Sequence, residues 1–166
     1  MRNKFYDKRG FLLGSETLKI IIAVICIVFL IFLLFALYYS LTGQEKIKQA
    51  EASMTNLISS EIIRINNDGE YNAQGIHIPN PSEWYIFSFV GEEKRPNLCA
   101  GKNCVCICEE ALFDIFGGNW QIKRCDEKGS CRTISNLKKF DRIKIEKNGI
   151  NILIEKINNE IEIRKK

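Results

Sequence analysis

The stretch IIIAVICIVFLIFLLFAL, residues 20–37, decides the architecture of this 166-residue chain. It holds 18 consecutive apolar residues, and Tyr38 and Tyr39 follow it directly. As an α-helix that rises about 1.5 Å per residue, the run and the two tyrosines span roughly 30 Å, which is the thickness of the hydrocarbon core of a bilayer. The sequence therefore predicts one transmembrane helix over residues 20–41.

Two interpretations of this apolar segment compete, namely a secretory signal that is cleaved off and an anchor that is retained. A cleaved signal has an apolar region of about 7 to 15 residues and a small-residue cleavage site after it. Here the apolar run is longer, and the sequence YYSLT at residues 38–42 has no A-x-A pattern. The two tyrosines suit the aromatic belt at a headgroup boundary. A retained anchor is the favoured interpretation.

The charges on either side of the apolar segment predict its orientation. Five basic and two acidic residues precede it, whereas the charges of residues 43–51 balance. Cytoplasmic flanks carry the excess of lysine and arginine. We therefore expect residues 1–19 to form a cytoplasmic basic leader in a single-pass protein of the cell membrane. The C-terminal domain is then extracytoplasmic.

The charge of the outer part excludes one class of partner. Of the 24 basic and 20 acidic residues, five and two lie in residues 1–42, which leaves 19 basic and 18 acidic residues beyond. A nearly neutral domain without a basic block has no electrostatic footprint for nucleic acid. We expect the lipid bilayer as a partner, and neither nucleic acid nor a small-molecule substrate.

Residues 42–67 predict an extracytoplasmic amphipathic helix. Its apolar residues recur at spacings of three and four, which produces one apolar stripe that needs one covering surface. The stripe consists of Ile47, Ala50, Met54, Leu57, Ile58, Ile62 and Ile65. Packing on its own domain is favoured over a coiled coil, because a coiled-coil seam needs at least three or four sustained heptads.

Residues 68–166 predict a cysteine-rich β domain. The run WYIFSFV at residues 84–90 and the alternating residues 104–108 both indicate strands. Residues 109–116 predict a short helix. Residues 120–125 and 131–134 predict a hairpin around a polar turn.

The C-terminus gives the clearest strand signal. Apolar and polar residues alternate in RIKIEK (142–147), INILI (150–154) and EIEIR (160–164), with Asn148-Gly149 and Asn158-Asn159 between them. Asn-Gly tolerates the positive φ angles of a type I′ turn, so we predict two hairpins that form a β-meander. The predicted fold class is α+β. A transmembrane helix is extended by an amphipathic helix that packs on an antiparallel sheet domain with a disulfide-rich region.

Six of the seven cysteines follow the apolar segment, and Cys26 lies alone within it. The six are Cys99, Cys104, Cys106, Cys108, Cys125 and Cys131. In a strand over residues 104–108, three thiols share one face at spacings of about 6.6 Å and are poorly directed toward each other. Each should then bond to Cys99, Cys125 or Cys131, which leaves six of the fifteen possible connectivities. Cys99 with Cys104 is one candidate pair.

Metal binding is the alternative for these thiols. Structural zinc sites use C-x2-4-C pairs and iron–sulfur sites use repeats such as C-x2-C, and C-x-C-x-C matches neither. Disulfides are therefore favoured, with no metal and no cofactor. His77 is the single histidine, and no catalytic motif is present, so we do not expect an enzyme.

The leader KRGF, residues 8–11, together with Glu16 and the apolar run, resembles the class III signal and N-terminal helix of type IV pilin-like proteins, including archaeal ones. The resemblance implies cleavage after Gly10 and a new N-terminus at Phe11. It also implies filament assembly through bundled apolar helices, with Glu16 pairing with the N-terminus of a neighbouring subunit. Pilins likewise pack the second half of a long helix on an antiparallel sheet and often carry cysteines in the C-terminal part.

Three functional hypotheses follow. The first is a membrane-anchored extracytoplasmic surface protein, a pilin-like subunit or assembly component with a disulfide-stabilised head. Its partners would be copies of itself or other pilin-like subunits. The second is a bitopic membrane protein that displays a disulfide-rich interaction module. The third is a membrane-tethered thiol or metal protein.

Overall fold

A computed structural model describes residues 9–67, 74–92, 94–111 and 120–166, without the side chains of residues 9–15 and of residue 74. The chain divides into two compact units, Met1–Thr42 and Gly43–Lys166. The described part of the first unit is helical, whereas the second holds helices and all the described strands.

The described part of the first unit belongs to helix α1 (Arg9–Ser53). Every side chain of residues 16–41 is exposed, including those of the run that defines the segment. The helical stretch Glu16–Asn67 is the one helix among the described residues that is long and apolar enough to cross a membrane. Its length and composition are compatible with an anchor, and a signal sequence near an N-terminus has the same properties.

In the second unit, α1 continues from Gly43 into a π-helical turn (Met54–Ser59) and helix α2 (Ser60–Asn67). The apolar stripe expected from the sequence is the buried side of these helices. The two buried serines are both hydrogen-bonded, as buried polar groups generally are. Ser53 Oγ donates to the carbonyl oxygen of Asn80 at 2.6 Å, and Ser59 Oγ accepts from Arg132 Nε at 3.3 Å.

The strands form two antiparallel sheets. Their bounds are β1 (Gln74–Ile78), β2 (Tyr85–Phe89), β3 (Cys104–Cys108), β4 (Gly129–Thr133), β5 (Ile143–Lys144), β6 (Ile150–Ile157) and β7 (Glu160–Lys165). The three-stranded sheet has the order β1-β6-β7, and the four-stranded sheet has the order β4-β3-β2-β5. A 3-10 helix (Asn97–Cys99) precedes β3, and helix α3 (Trp120–Glu127) precedes β4.

One apolar core joins the helices of the second unit to both sheets. Its buried residues include Ala50, Met54, Ile58, Ile62 and Ile65 of the helices, Ile78, Ile152, Ile154, Ile161 and Ile163 of the three-stranded sheet, and Ile86, Val105 and Ile107 of the four-stranded sheet. The predicted α+β class, with a long apolar N-terminal helix and antiparallel sheets, is confirmed.

The predicted hairpin around residues 126–130 is wrong in its first arm. Residues 120–127 form α3 instead of a strand, while the second arm forms β4 and pairs with β3. Ile122 and Cys125 lie three residues apart and both pack into the cysteine cluster, which is helical spacing. The predicted helix over 109–116 falls mostly outside the described residues, and its described residues 109–111 are not helical.

The predicted β-meander is also wrong in its first hairpin. Residues 142–147 contribute β5 to the other sheet, where β5 pairs with β2. Ile145 N–H donates to the carbonyl oxygen of Trp84 at 2.8 Å, which extends that pairing. Strand β6 has only two edges, and these pair with β1 and β7. The second hairpin forms as expected, with φ of 50° at Asn158 and 68° at Asn159.

Candidate functional sites

Strand β3 brings three cysteines to one face of the four-stranded sheet. All five of its residues are buried. Successive side chains of a strand point to opposite faces, so Val105 and Ile107 enter the apolar core while Cys104, Cys106 and Cys108 lie on the other side. A sheet with two buried faces explains why no polar residue occurs in this strand.

Each strand cysteine forms a disulfide with a cysteine outside the strand. The pairs are Cys99–Cys104, Cys106–Cys131 and Cys108–Cys125, with Cα–Cα separations of 5.7, 4.1 and 5.0 Å. This pairing is one of the six that the strand geometry allows, and it includes the candidate pair of Cys99 with Cys104. The choice among the six depends on elements that lie far apart along the chain.

Three different elements supply the partner cysteines. Cys99 ends the 3-10 helix, Cys125 lies on α3, and Cys131 lies on β4 directly opposite Cys106 in the strand register. The loop of Cys99 is fastened to α3 by a carboxylate. Asp126 accepts hydrogen bonds from Asn97 Nδ2 at 3.0 Å and from the backbone N–H of Leu98 at 3.1 Å.

Aromatic side chains of β2 lie beside the disulfides. Tyr85, Phe87 and Phe89 are the register partners of Cys108, Cys106 and Cys104. Their ring centroids are 6.0 and 6.3 Å apart along the strand. Phe87, Phe89 and Ile122 pack with the cysteines into a second apolar cluster, separate from the helical core. Three disulfides and these aromatic rings therefore cover this face of the four-stranded sheet, whereas α1 and α2 pack on the opposite side.

Charged groups lie along the rim of this face. Arg142 stands over the ring of Tyr85 at 5.5 Å and forms an ion pair with Glu110. A hydrogen bond with Glu110 raises the pKa of Tyr85 above its ordinary value, and partial burial acts in the same direction. Next to them, Lys144 Nζ lies 2.6 Å from Glu83 Oε2. This contact lowers the pKa of Glu83 and raises that of Lys144.

Two of the disulfides approach each other closely. Cys106 Sγ lies 3.8 Å from Cys99 Sγ and 4.0 Å from Cys104 Sγ, and the three sulfurs all lie within 4.8 Å of one another. All three sulfurs are bonded in disulfides, so this group offers no thiolate to a metal ion in the structure. The spacing C-x-C-x-C did not indicate this group, because Cys99 reaches it by folding back along a loop.

The single histidine is a strand residue. His77 is exposed on β1, and its Nδ1 lies 2.9 Å from Oδ1 of Asn151, its register partner on β6. This cross-strand contact accounts for the position of the ring.

The residues of the pilin-like resemblance lie on α1. Gly10 and Phe11 fall within its first turn, and their side chains are outside the described part. Glu16 is exposed on the same helix. Cys26 is exposed as well, and it is the cysteine without a disulfide partner.

Comparison of the chain with family models, with curated proteins and with solved structures finds no match. Two features of the molecule remain as the basis for a function. One is the exposed apolar part of α1, and the other is the disulfide-covered face of the four-stranded sheet.

Proposed function

We propose that this protein is a single-pass membrane protein that displays a disulfide-stabilised head outside the cytoplasm, where it acts as a pilin-like subunit or assembly component. One observation carries the proposal. The apolar side chains of residues 20–37 are all exposed in the isolated chain. Soluble monomers rarely expose an apolar surface of this size, so either lipid or other helices must cover it.

The cysteines support the outer location of the head. All six cysteines beyond residue 42 pair in three disulfides, whereas Cys26 in the apolar segment has no partner. Disulfides persist in oxidising compartments and are rare in the cytosol. A head outside the membrane and a helix within it agree with both observations and with the excess of basic residues before the helix.

The layout of the second unit supports the pilin-like part of the proposal. A helix packs its apolar stripe on antiparallel sheets, and disulfides crosslink the elements on the other face of the four-stranded sheet. This is the arrangement that the resemblance of residues 8–11, Glu16 and the apolar run implies. In such an assembly, exposed apolar helices cover one another, and the carboxylate of Glu16 neutralises the α-amino group of a neighbour. The proposed role is structural, without catalysis.

Processing of the leader tests the proposal. Intact-mass and N-terminal peptide measurements on the membrane fraction should show Phe11 as the first residue. Gly10→Val should block cleavage, whereas Gly14→Val, a matched change four residues further on, should leave it intact. A chain that keeps Met1 in the native membrane would rule out a processed pilin.

Assembly gives a second, independent measurement. Chemical crosslinking of intact cells should yield ladders of the wild-type chain. Glu16→Gln should shorten these ladders while the protein stays in the membrane fraction. Glu45→Gln, which changes an exposed carboxylate in the second unit, is the control and should leave the ladders unchanged. Equal ladders for both variants would contradict the role of Glu16.

A bitopic anchor that displays an interaction module is the second candidate. Two observations favour it. Glu16 is the sixth residue counted from Phe11, whereas the family usually has its glutamate fifth. Lys19 also stands where pilins are apolar. This candidate predicts an intact Met1, a monomeric helix and the same three disulfides, so the mass measurement separates the two.

A further inference from the structure

A partly exposed disulfide of the head lies against a buried one. Cys131 is partly exposed, whereas its partner Cys106 is fully buried. Cys99 and Cys104, which form the neighbouring disulfide, are fully buried as well. The sulfurs of Cys99, Cys104 and Cys106 all lie within 4.8 Å of one another. Cys106 therefore touches a disulfide other than its own.

Of these two neighbours, Cys99 is the better placed to bond to Cys106. Cys106 Sγ lies 3.8 Å from Cys99 Sγ and 4.0 Å from Cys104 Sγ, and both are contact distances. Cys104 and Cys106 share one face of β3, where residues two apart stand about 6.6 Å from each other and are poorly directed for a disulfide. Cys99 belongs to the 3-10 helix before β3 and has no such restriction.

The third disulfide, Cys108–Cys125, differs in both respects. Both of its cysteines are fully buried in the second apolar cluster. Among the described residues, their sulfurs do not belong to the group of mutually close sulfurs. Gln121 Nε2 lies 3.5 Å from each of them instead. This disulfide therefore serves as an internal reference for the other two.

Among the six disulfide-bonded cysteines, Cys131 is the one whose side chain reaches solvent. The thiolate of a small monothiol, R–S⁻, attacks Cys131 Sγ and forms a mixed disulfide there, while the bond to Cys106 breaks and Cys106 leaves as a thiolate. That thiolate is buried among apolar side chains, where an unpaired charge is unfavourable. It is also in contact with the sulfur of Cys99.

We propose that Cys131 is a site of S-thiolation by a small monothiol, and that Cys106 makes the modification persist by attacking Cys99. The bond Cys99–Cys106 forms as the bond Cys99–Cys104 breaks, and Cys104 leaves as a thiolate that takes up the proton lost by the monothiol. The head has three S–S bonds before the reaction and three after it, one of them to the R–S group, so no oxidant or reductant is needed. Once Cys106 is bonded to Cys99, it no longer expels the R–S group from Cys131.

Reaction of the wild-type chain with reduced glutathione tests this proposal. The full chain in detergent is incubated with glutathione without an oxidant, quenched with acid, and analysed by intact mass and by tandem mass spectrometry of its disulfide-linked peptides. We expect one glutathione per chain, on Cys131, together with a Cys99–Cys106 bridge. Cys26 should stay unmodified, because a free thiol needs an oxidant to form a mixed disulfide. No adduct, an adduct on another cysteine, or an adduct without the Cys99–Cys106 bridge would overturn the proposal.

Two matched variants test the exchange step without any added thiol. Cys131→Ser leaves Cys106 without its partner, so we expect two disulfide isomers, Cys99–Cys104 and Cys99–Cys106. Cys125→Ser leaves Cys108 without its partner, and we expect one isomer with the free thiol on Cys108. A single isomer of Cys131→Ser, or exchange in Cys125→Ser, contradicts the assignment. The glutathione measurement on the wild type does not depend on the folding of either variant.

Discussion

Gly149 occupies a position that excludes a side chain for two separate reasons. Its φ of +80° lies in the left-handed region, and a Cβ there would stand 2.6 Å from the carbonyl oxygen of Ile78 and 2.8 Å from the ring of His77. Because the strain and the clash act together, we expect Gly149→Ala to lower the free energy of unfolding by about 2 to 4 kcal/mol. Thermal unfolding of the purified chain in detergent measures this loss.

Gly91 is the matched control for that experiment. It has nearly the same φ, +81°, but no atom lies within 4 Å of a Cβ added to it. Gly91→Ala should therefore show the backbone strain alone, about 1 to 2 kcal/mol. If the two variants lose the same stability, the close approach of Ile78 and His77 does not limit the turn.

The ion pair between Glu83 and Lys144 predicts a local pH dependence. The pKa of Glu83 lies below its ordinary 4.5, so its stabilising effect is complete above pH 4.5 and is lost as the pH falls through the folded pKa. The pKa of Lys144 lies above its ordinary 10.5, so its effect is complete below pH 10.5 and is lost as the pH rises through the folded pKa. The pair therefore stabilises the fold fully between pH 4.5 and 10.5.

Removal of the lysine charge tests this assignment. Lys144→Gln should raise the pKa of Glu83 toward 4.5, because the hydrogen bond and the charge of Lys144 are the largest causes of its shift. A carbon-detected NMR titration of the carboxyl groups measures the change. Lys138→Gln removes a lysine that pairs with Glu162 instead, and it should leave the Glu83 titration unchanged.

At the scale of elements, α2 shows how one helix separates a core side from a solvent side. Ile65 is 1% exposed in the core, and Ile63 on the same helix is 60% exposed. We expect Ile65→Ala to cost about 2 to 5 kcal/mol of unfolding free energy through lost burial and the cavity it leaves. Ile63→Ala should change it by no more than about 0.5 kcal/mol. Denaturant titrations of both variants compare them directly, and similar losses would contradict the packing of α2.

The three disulfides close loops of different length, so their contributions to stability should differ. The sequence separations are 5 for Cys99–Cys104, 17 for Cys108–Cys125 and 25 for Cys106–Cys131. Loop-closure entropy then predicts contributions of about 2, 3 and 3.5 kcal/mol in that order. Replacement of each pair by two serines, followed by denaturant titration, should reproduce the order. A largest loss for the Cys99–Cys104 variant would show that native packing outweighs the loop entropy.

At the scale of the whole molecule, the four-stranded sheet separates two cores of different chemistry. One face joins the helices and the three-stranded sheet in an isoleucine-rich core, and the other face is covered by cysteines and aromatic rings. Small domains with limited apolar area often use disulfides as a substitute for a larger core. The disulfides and aromatic rings therefore stabilise the face of the four-stranded sheet that lies opposite the isoleucine-rich core.

Thiol counting tests the disulfide state of the whole chain. The chain has seven cysteines, and three disulfides leave one free thiol, Cys26. Alkylation in a denaturing detergent should add one label without reductant and seven after reduction, as read by intact mass. Cys26→Ser should lower both counts by one. Three or more labels without reductant would show that the head carries free thiols.

The sequence already predicts much of the local structure and part of the cysteine site. The apolar run, the stripe of residues 42–67 and the alternation in β6 and β7 are visible because periodicity is a local property of helices and strands. The strand geometry of residues 104–108 also limits the cysteine pairing to six possibilities. The helical residues 120–127 are not recognisable in the same way, because their apolar side becomes evident only once Cys125 faces Cys108.

The sequence by itself determined the long apolar helix, the amphipathic stripe and the residues that face inward, because hydrophobic periodicity acts over a few neighbouring residues. Only the tertiary structure decided that β5 joins β2 rather than β6, and which cysteine meets which. The partner of a strand edge or of a thiol comes from a segment that is distant in the sequence. Local patterns therefore do not specify it. Strand β6 has β1 and β7 on its edges, so β5 pairs elsewhere.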